Sequence, residues 1–222
     1  MPKVLIAGAS KGVGFELAKY LRQKGVDVVG MLRSDDAKAK LEGIGATVVK
    51  ADALDGDAVR AAFAGAGSID AVACTVGGKP GDAERADYPG AKNCIDAAKA
   101  AGIERFLLVS SIGAGETRQF LPPPLLERLG PTIDEKDKAE AYLRESDLKY
   151  TIVRPGGLES DSATGNGILT ETPSVLGGID RADVAQLLAR CLHFGSAIGR
   201  TFTAVDSGKV RSQGEYETVE LS

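Results

Sequence analysis

One histidine and three cysteines are all that this chain of 222 residues offers to imidazole or thiol chemistry. Cys74, Cys94 and Cys191 are scattered, with no C-x-x-C pair. They read as small buried hydrophobes in a reducing compartment rather than as a disulfide framework or a zinc site. His193 alone cannot furnish a histidine-rich metal centre or a Ser-His-Asp triad, and its place near the end of a late helix suits a helix-dipole contact better. No metal site is expected. Long apolar runs are also missing: none approaches the roughly 18–20 residues of a membrane span, and the N-terminus reads as a strand rather than a signal peptide. Positive charge is not in excess either. With 27 Lys and Arg against 31 Asp and Glu the net charge is −4, and no dense basic stripe is present, so neither nucleic acid nor membrane is an expected partner. The expected setting is cytoplasmic, with a plastid stroma possible if a transit peptide was removed.

Glycine and alternating apolar segments are plentiful. The charged and apolar fractions, 26% and 43%, exclude global disorder, and the length allows a substantial single core. The first seventeen residues are the most informative. Lys3-Val-Leu-Ile-Ala-Gly8 is an apolar run of strand length, Ala9-Ser10-Lys11-Gly12-Val13-Gly14 is a turn, and a helical pattern begins at Phe15-Glu16-Leu17. A strand delivering a glycine turn to a helix N-terminus suits a phosphate, because glycine lets the phosphate approach and the first helical turn offers unpaired N–H groups. Gly8, Gly12 and Gly14 have G-x-x-x-G-x-G spacing rather than G-x-G-x-x-G.

Strand and helix patterns then alternate. Helices are predicted over 13–24, from Ser34 to Gly43, and over 55–66, 89–101, 134–146 and 181–194. Strands are predicted over 26–32, 47–50, 69–75, 105–110, 150–154 and 201–205. The fourth of the seven strands runs into Val76-Gly77-Gly78-Lys79-Pro80. Short β–α links of this kind mean an α/β fold, a single Rossmann-type doubly wound parallel sheet with helices on both faces and strand order 3-2-1-4-5-6-7. No linker divides residues 1–222, so one NAD(P)-binding domain is expected. The polar tail, 208–222, is either mobile or adds an edge strand through Tyr216-Glu-Thr-Val. Two connections, 112–133 and 155–179, exceed ordinary loop length. They leave the carboxyl ends of the fifth and sixth strands, where open α/β sheets bind ligands, and are expected to form the substrate side as a lid.

Charge bears on the cofactor. Where an NAD-selective fold places a carboxylate, about 20 residues past the glycine turn, this chain has Met31-Leu32-Arg33-Ser34. Arg33 favours a 2′-phosphate, and Lys11 can add a second positive charge. Asp35 and Asp36 are expected to serve the next helix's N-terminus. The expected cofactor is NADP(H).

Val4-Leu-Ile-Ala-Gly-Ala-Ser-Lys-Gly-Val-Gly, Asp87-Tyr-Pro-Gly-Ala-Lys-Asn-Cys-Ile-Asp-Ala-Ala, Phe106-Leu-Leu-Val-Ser-Ser and Tyr150-Thr-Ile-Val-Arg-Pro-Gly-Gly-Leu158 together resemble the short-chain dehydrogenase/reductase superfamily. The last three are most similar to its atypical branch of NAD(P)-binding, NmrA-like and flavin/biliverdin-reductase-like proteins. Arg154-Pro-Gly-Gly and Arg181-Ala-Asp-Val-Ala carry much of that likeness. The glycine turn departs from the branch, since Lys11 stands where atypical members usually have the middle glycine.

The resemblance implies a set of roles. Gly8, Ser10, Lys11, Gly12, Val13 and Gly14 would line the pyrophosphate and adenosine phosphate. Arg33 and Ser34 would meet the 2′-phosphate, and Asp52 and Ala53 would flank the adenine. Thr75, Val76 and Gly77 would lie along the adenosine ribose and pyrophosphate, and Pro155, Gly156 and Gly157 would face the nicotinamide. Ser111 would be the catalytic serine, and Lys138 the lysine of Tyr-x-x-x-Lys that holds the nicotinamide ribose. Four residues before Lys138 stands Asp134, which is ionised at neutral pH and cannot replace a phenol. Tyr142 lies on the same helical face at the wrong offset. Either the donor is elsewhere, or the chemistry needs no proton donor from the protein, as when hydride passes to a flavin, quinone or tetrapyrrole.

The first expectation is therefore an NADPH-dependent oxidoreductase, acting as monomer or homodimer on a small-molecule hydride acceptor. The second is a protein that senses NADP(H) without turnover. An epimerase or dehydratase fits less well, because those relatives keep Tyr-x-x-x-Lys.

Overall fold

Strand β1 (Lys3–Ala7) alternates its side chains between two cores, as a central strand of a sheet covered on both faces must. Val4 and Ile6 pack with Phe15, Leu17 and Leu21, whereas Leu5 and Ala7 pack with Val59, Phe63 and Ile95 on the opposite face. The computed structural model describes residues 2–78, 85–212 and 214–222. Lys79 and Pro80, at the end of the glycine-rich run after the fourth strand, lie outside them.

After β1 come α1 (Gly12–Gln23), β2 (Asp27–Leu32), α2 (Lys38–Gly43), β3 (Thr47–Lys50), α3 (Gly56–Gly65) and β4 (Ala71–Cys74). Then follow α4 (Pro89–Ala100), β5 (Arg105–Val109), α5 (Pro123–Arg144), β6 (Lys149–Pro155), β7 (Gly157–Glu159) and β8 (Gly167–Thr170). The chain ends with β9 (Val175–Leu176), β10 (Gly178–Asp180), α6 (Arg181–His193), β11 (Arg200–Asp206) and β12 (Arg211–Ser212). The main sheet has the order β3-β2-β1-β4-β5-β6-β11-β8. Seven of these strands are parallel and β8 is antiparallel to β11. The order expected for the seven parallel strands is the one found. From β1 the chain winds outward to β2 and β3, then returns to β4 on the other side, so β1 and β4 flank the switch point whose carboxyl edge forms a crevice.

Each core face has its helices. Leu17, Ala18 and Leu21 of α1 meet Val184, Leu188 and Cys191 of α6 on one side. Val59 and Phe63 of α3, Cys94 and Ile95 of α4, and Ala139 and Leu143 of α5 fill the other. All three cysteines are buried and unpaired.

Both long connections hold more structure than expected. A 3-10 segment spans Gly115–Phe120, and α5 starts at Pro123, eleven residues before the predicted start at Asp134. Pro123 and Pro124 occupy the first turn, where a missing N–H costs nothing, so the proline run begins a helix instead of blocking one. Residues 155–179 contain β7, β8, β9 and most of β10. These strands of two to four residues are held by distant partners: β7 by β10, β8 by β11 and β9 by β12. The tail forms no strand through Tyr216, yet it is anchored. The Val219 N–H donates to the Leu169 carbonyl at 2.8 Å, and Leu221 is buried.

Candidate dinucleotide site at the carboxyl edge

The turn between β1 and α1 is shaped by its glycines. Gly8 and Gly12 adopt positive φ values of 88° and 59°, a region costly for other residues. Gly14 is helical, but a Cβ there would stand 2.5 Å from Thr75 Oγ1 and closer still to the Gly8 carbonyl oxygen. The Thr75 hydroxyl lies within donating distance of the carbonyls of Ala7 (2.9 Å) and Gly8 (3.1 Å), which ties the ends of β1 and β4 together at the crevice.

Helix α1 begins without a cap. Lys11 occupies the N-cap, its side chain makes no capping bond, and the first turn has no acidic residue. The first helical bond, from Phe15 N–H to the Lys11 carbonyl, is 3.4 Å long. Among the described residues, the N–H groups of Gly12, Val13 and Gly14 meet no protein acceptor. Most helices fill this position with Ser, Thr, Asp or Asn. A helix start with open amides and a neighbouring lysine has the donor set of an anion site, and a dinucleotide's pyrophosphate fits it. Ser10 and Lys11 are exposed beside it.

At the end of β2, Arg33 is exposed and no carboxylate pairs with it among the described residues. The nearby acids are occupied. Asp35 pairs with Lys50 at 2.7 Å, which holds its carboxyl below the usual range, and Asp36 accepts from Ser34 Oγ at 2.8 Å. Ser34 sits at the N-cap of a short 3-10 turn, but its hydroxyl goes to Asp36 rather than to the backbone. Past the neighbouring β3, the Asp52 carboxylate accepts from Leu54 N–H, and the Ala53 carbonyl accepts from Asn93 Nδ2.

The ends of β5 and β6 depart most from the sequence-based expectation. Ser111 is partly buried just past β5, and its hydroxyl donates to the Ile112 carbonyl at 3.0 Å. Lys138 is not brought to the edge. Its side chain is 58% exposed and pairs with Glu135. Helix α5 buries Ile133, Lys136, Ala139, Glu140 and Leu143, a helical stripe that excludes position 138. The lysine at the strand ends is Lys136, 6% exposed. Its ammonium donates to the carbonyls of Val76 (2.9 Å) and Val109 (3.2 Å) and lies 3.4 Å from Asp87. Asp87 is itself buried and accepts from Gly78 N–H and Arg85. With the lysine at 136, the residue four places earlier is Thr132, not Asp134.

Pro155, Gly156 and Gly157 reach the same edge with their donors used. Gly156 N–H goes to the Ala204 carbonyl and Gly157 N–H to the Gly177 carbonyl, both at 2.9 Å, and the Pro155 carbonyl accepts from Ile112 N–H. Only shape and the remaining carbonyls are left to face a ligand. Thr75, Val76 and Gly77 follow β4 as expected. Two residues outside the expected set also converge here. Arg181 lies against Gly12, 3.7 Å from where a Cβ would stand, and Asp87 comes from the quoted motif before α4. Glu159, Asp161 and Asp180 gather their carboxylates closely, but Lys209 Nζ sits among them, 2.5 Å from Glu159 and 3.3 Å from Asp180. Among the described residues, no helix is long and apolar enough to cross a membrane.

Comparison with known proteins agrees with this geometry. A family model described as NAD(P)H-binding matches residues 8–194. An uncharacterised sugar epimerase, YhfK of Bacillus subtilis, is 34% identical over 90% of this chain and 92% of its own length. Sanguinarine reductase of Eschscholzia californica is 28% identical, covering 90% and 87% of the two chains. The solved structure of ChuY from Escherichia coli O157:H7, an anaerobillin reductase, superposes with a TM-score of 0.84 at 32% identity, covering 92% of this chain and 97% of that one. A glycine turn with open amides, the β1–β4 switch point and a match over most of the chain lead to one assignment: this chain belongs to the NAD(P)H-binding family, on a Rossmann fold.

Proposed function

We propose that this chain is an NADPH-dependent oxidoreductase that passes hydride to a small or planar acceptor. The observation that carries the proposal is the uncapped start of α1 beside two exposed cations, Lys11 and Arg33, neither held by a carboxylate among the described residues. The open amides of Gly12, Val13 and Gly14 would hold the pyrophosphate. Arg33 and Lys11 would bracket the 2′-phosphate, helped by the pairing of Asp35 with Lys50, which partly neutralises the nearest acid. Asp52 and Ala53 would border the adenine, and Thr75, Val76 and Gly77 the ribose and pyrophosphate. When bound, the nicotinamide supplies the hydride. Pro155, Gly156 and Gly157 would shape its pocket, and Ser111 would orient the acceptor.

The acceptor class follows from what the edge lacks. Thr132 stands four residues before the buried lysine, so no phenol is available to donate a proton at the family's usual offset. That favours acceptors whose product takes its proton from solvent, such as flavins, quinones and tetrapyrroles, over simple carbonyls. ChuY, named an anaerobillin reductase, and sanguinarine reductase support a reductase of a small-molecule acceptor.

Fluorescence titration with NADPH and NADH tests the cofactor, and an NADPH-oxidation screen with flavins, quinones, biliverdin and aldehydes tests the acceptor. Tighter binding of NADPH and turnover of a planar acceptor are expected. Equal affinities would remove the 2′-phosphate argument. Tight binding without any turnover would replace the enzyme by an NADP(H) sensor.

A further inference from the structure

Lys136 and Glu140 are one helical turn apart on the buried face of α5, and together they grip three strand ends. Lys136 holds the carbonyls of Val76, past β4, and Val109, the last residue of β5. Glu140, fully buried, accepts from Ser110 Oγ at 2.6 Å. It also accepts from Arg154 of β6 through Nε (2.9 Å) and Nη2 (2.7 Å). Arg144, one turn further on, donates to the same carboxylate at 2.8 Å. Arg154 is 1% exposed and spends its outer face on Glu116, at 2.9 and 3.3 Å.

Val76, Ser110 and Arg154 each adjoin a residue assigned to the cofactor or the acceptor. Val76 precedes Gly77, Ser110 precedes Ser111, and Arg154 precedes Pro155. The charges balance within the cluster, Lys136 with Asp87 and Arg154 with Glu140, as charges buried so deeply require. An ammonium has three donors. Two of those of Lys136 go to the Val76 and Val109 carbonyls, and the Asp87 carboxylate stands 3.4 Å away as an ion pair, so the ammonium is committed to the protein rather than to a ribose hydroxyl.

We infer that Lys136 and Glu140 are positioning residues, a staple that holds the ends of β4, β5 and β6 in register around the nicotinamide pocket, and that Lys136 is not a ribose ligand. The inference rests on the proposed cofactor site only for what the staple positions. The staple itself is a property of the strand ends. Side chains locked by packing and outer hydrogen bonds are what hold a site within the fraction of an ångström that its chemistry needs.

The test compares Lys136→Met with Glu140→Gln in the full chain. Asp87 keeps Gly78 N–H and Arg85 as partners in the first variant. Two measurements are made well below the unfolding temperature. The first is amide hydrogen exchange at Ser110 and Ile112, whose N–H groups bond to the Val153 and Pro155 carbonyls, against amides joining β1 and β2. The second is affinity for NADPH and for adenosine 2′,5′-bisphosphate, which lacks the nicotinamide ribose. Both variants should speed exchange at Ser110 and Ile112 by about tenfold or more while β1–β2 is unmoved. Both should also weaken NADPH alike, by about fivefold or more relative to the bisphosphate.

Selective loss of NADPH in Lys136→Met alone, with exchange unchanged, would make Lys136 a ribose ligand and overturn the inference. An unchanged affinity ratio in both variants would reduce the cluster to fold stability and overturn it equally. If the wild type binds neither nucleotide, the cofactor reading fails while the exchange measurement still decides the staple. If Lys136→Met does not fold, Ser110→Ala, which cuts one link without touching a charge, takes its place with the same expected direction.

Discussion

Thr75 Oγ1 occupies the space that a side chain on Gly14 would need, at 2.5 Å from its ideal Cβ position. The contact joins the loop after β4 to the first turn of α1, and the Gly8 carbonyl closes the gap from the other side. Both obstacles are fixed, one being backbone and the other a hydroxyl held by two carbonyls. Gly14→Ala should therefore push α1 away from the turn, at a cost of about 1–3 kcal/mol, and disperse the amides meant for the pyrophosphate. Chemical denaturation together with nucleotide titration checks this. A variant with wild-type stability and affinity would show that the turn is not a fixed cradle.

Arg154 makes a different kind of contact, between charges that water cannot reach. Burial lowers its pKa, but the bonds to Glu140 and then to Glu116 more than reverse that, and the guanidinium is held above its ordinary range. Arg154→Met would leave Glu140 buried with Ser110 and Arg144 as its remaining partners. Removing one partner of a buried pair costs about 3–5 kcal/mol, and the two surviving partners place this case at the lower end. Arg154→Lys should rescue little, because an ammonium cannot form two forked pairs at once. Urea denaturation of both variants measures the difference. A loss below about 1 kcal/mol would mean that the pair is no stronger than a surface contact.

The same residue marks the boundary of what the sequence makes legible. The parallel sheet and its order could be read because β1, β4 and β5 are apolar runs between glycine-bearing turns, a pattern that helices on both faces impose. The glycine turn was legible for the same reason, its spacing being a local property. Strands β7 to β10 were not, since segments of two to four residues exist only through partners such as β11 and β12. Lys136 and Lys138 look alike within the charged run from Asp134 to Glu140. Only the helical phase that Ile133, Ala139 and Leu143 establish separates them. A proline run that starts α5 where a loop was expected hid that phase. Arg154 and Glu140 lie 14 residues apart on a strand and a helix, and nothing local announces their pairing.

Asp206 ties the connection 155–179 to the sheet. Thr164 Oγ1 donates to it at 2.7 Å and Gly208 N–H at 2.8 Å, while Asp183 accepts from Thr164 and Gly165 N–H groups. The bond from Thr164, with help from Gly208 and against the effect of burial, holds the Asp206 carboxyl below its ordinary value. A carboxyl whose folded pKa is depressed stabilises the folded form above the unfolded pKa of about 4, and that contribution fades as pH falls through the folded value. The segment around Thr164 should therefore stay protected from pH 7 to about pH 4 and open only in stronger acid. Limited proteolysis, with a neutral protease at the upper end of that range and pepsin in acid, would detect the release. Cleavage near Thr164 already at pH 5 would contradict it. Asp206→Asn should bring the opening to neutral pH.

Arg33 is where cofactor preference becomes a number. Its guanidinium is exposed, and a 2′-phosphate would reach it through solvent-accessible, charge-assisted bonds worth about 1.5–3 kcal/mol. Arg33→Ala should thus weaken NADPH by about 10- to 100-fold and leave NADH within about twofold, since NADH has no group at that point. Arg33→Asp should go further and favour NADH, by restoring a carboxylate to the place where it can accept from ribose hydroxyls. Because the contact is exposed, the wild-type preference should also shrink with salt. Between about 0.01 and 1 M ionic strength the screening length falls from about 30 to 3 Å, so the NADPH-to-NADH affinity ratio should decline steadily across that range. A ratio indifferent to both salt and Arg33 would assign the 2′-phosphate to other residues or deny the preference altogether. A ratio that follows salt but not Arg33 would point to Lys11, and Lys11→Ala would then carry the loss.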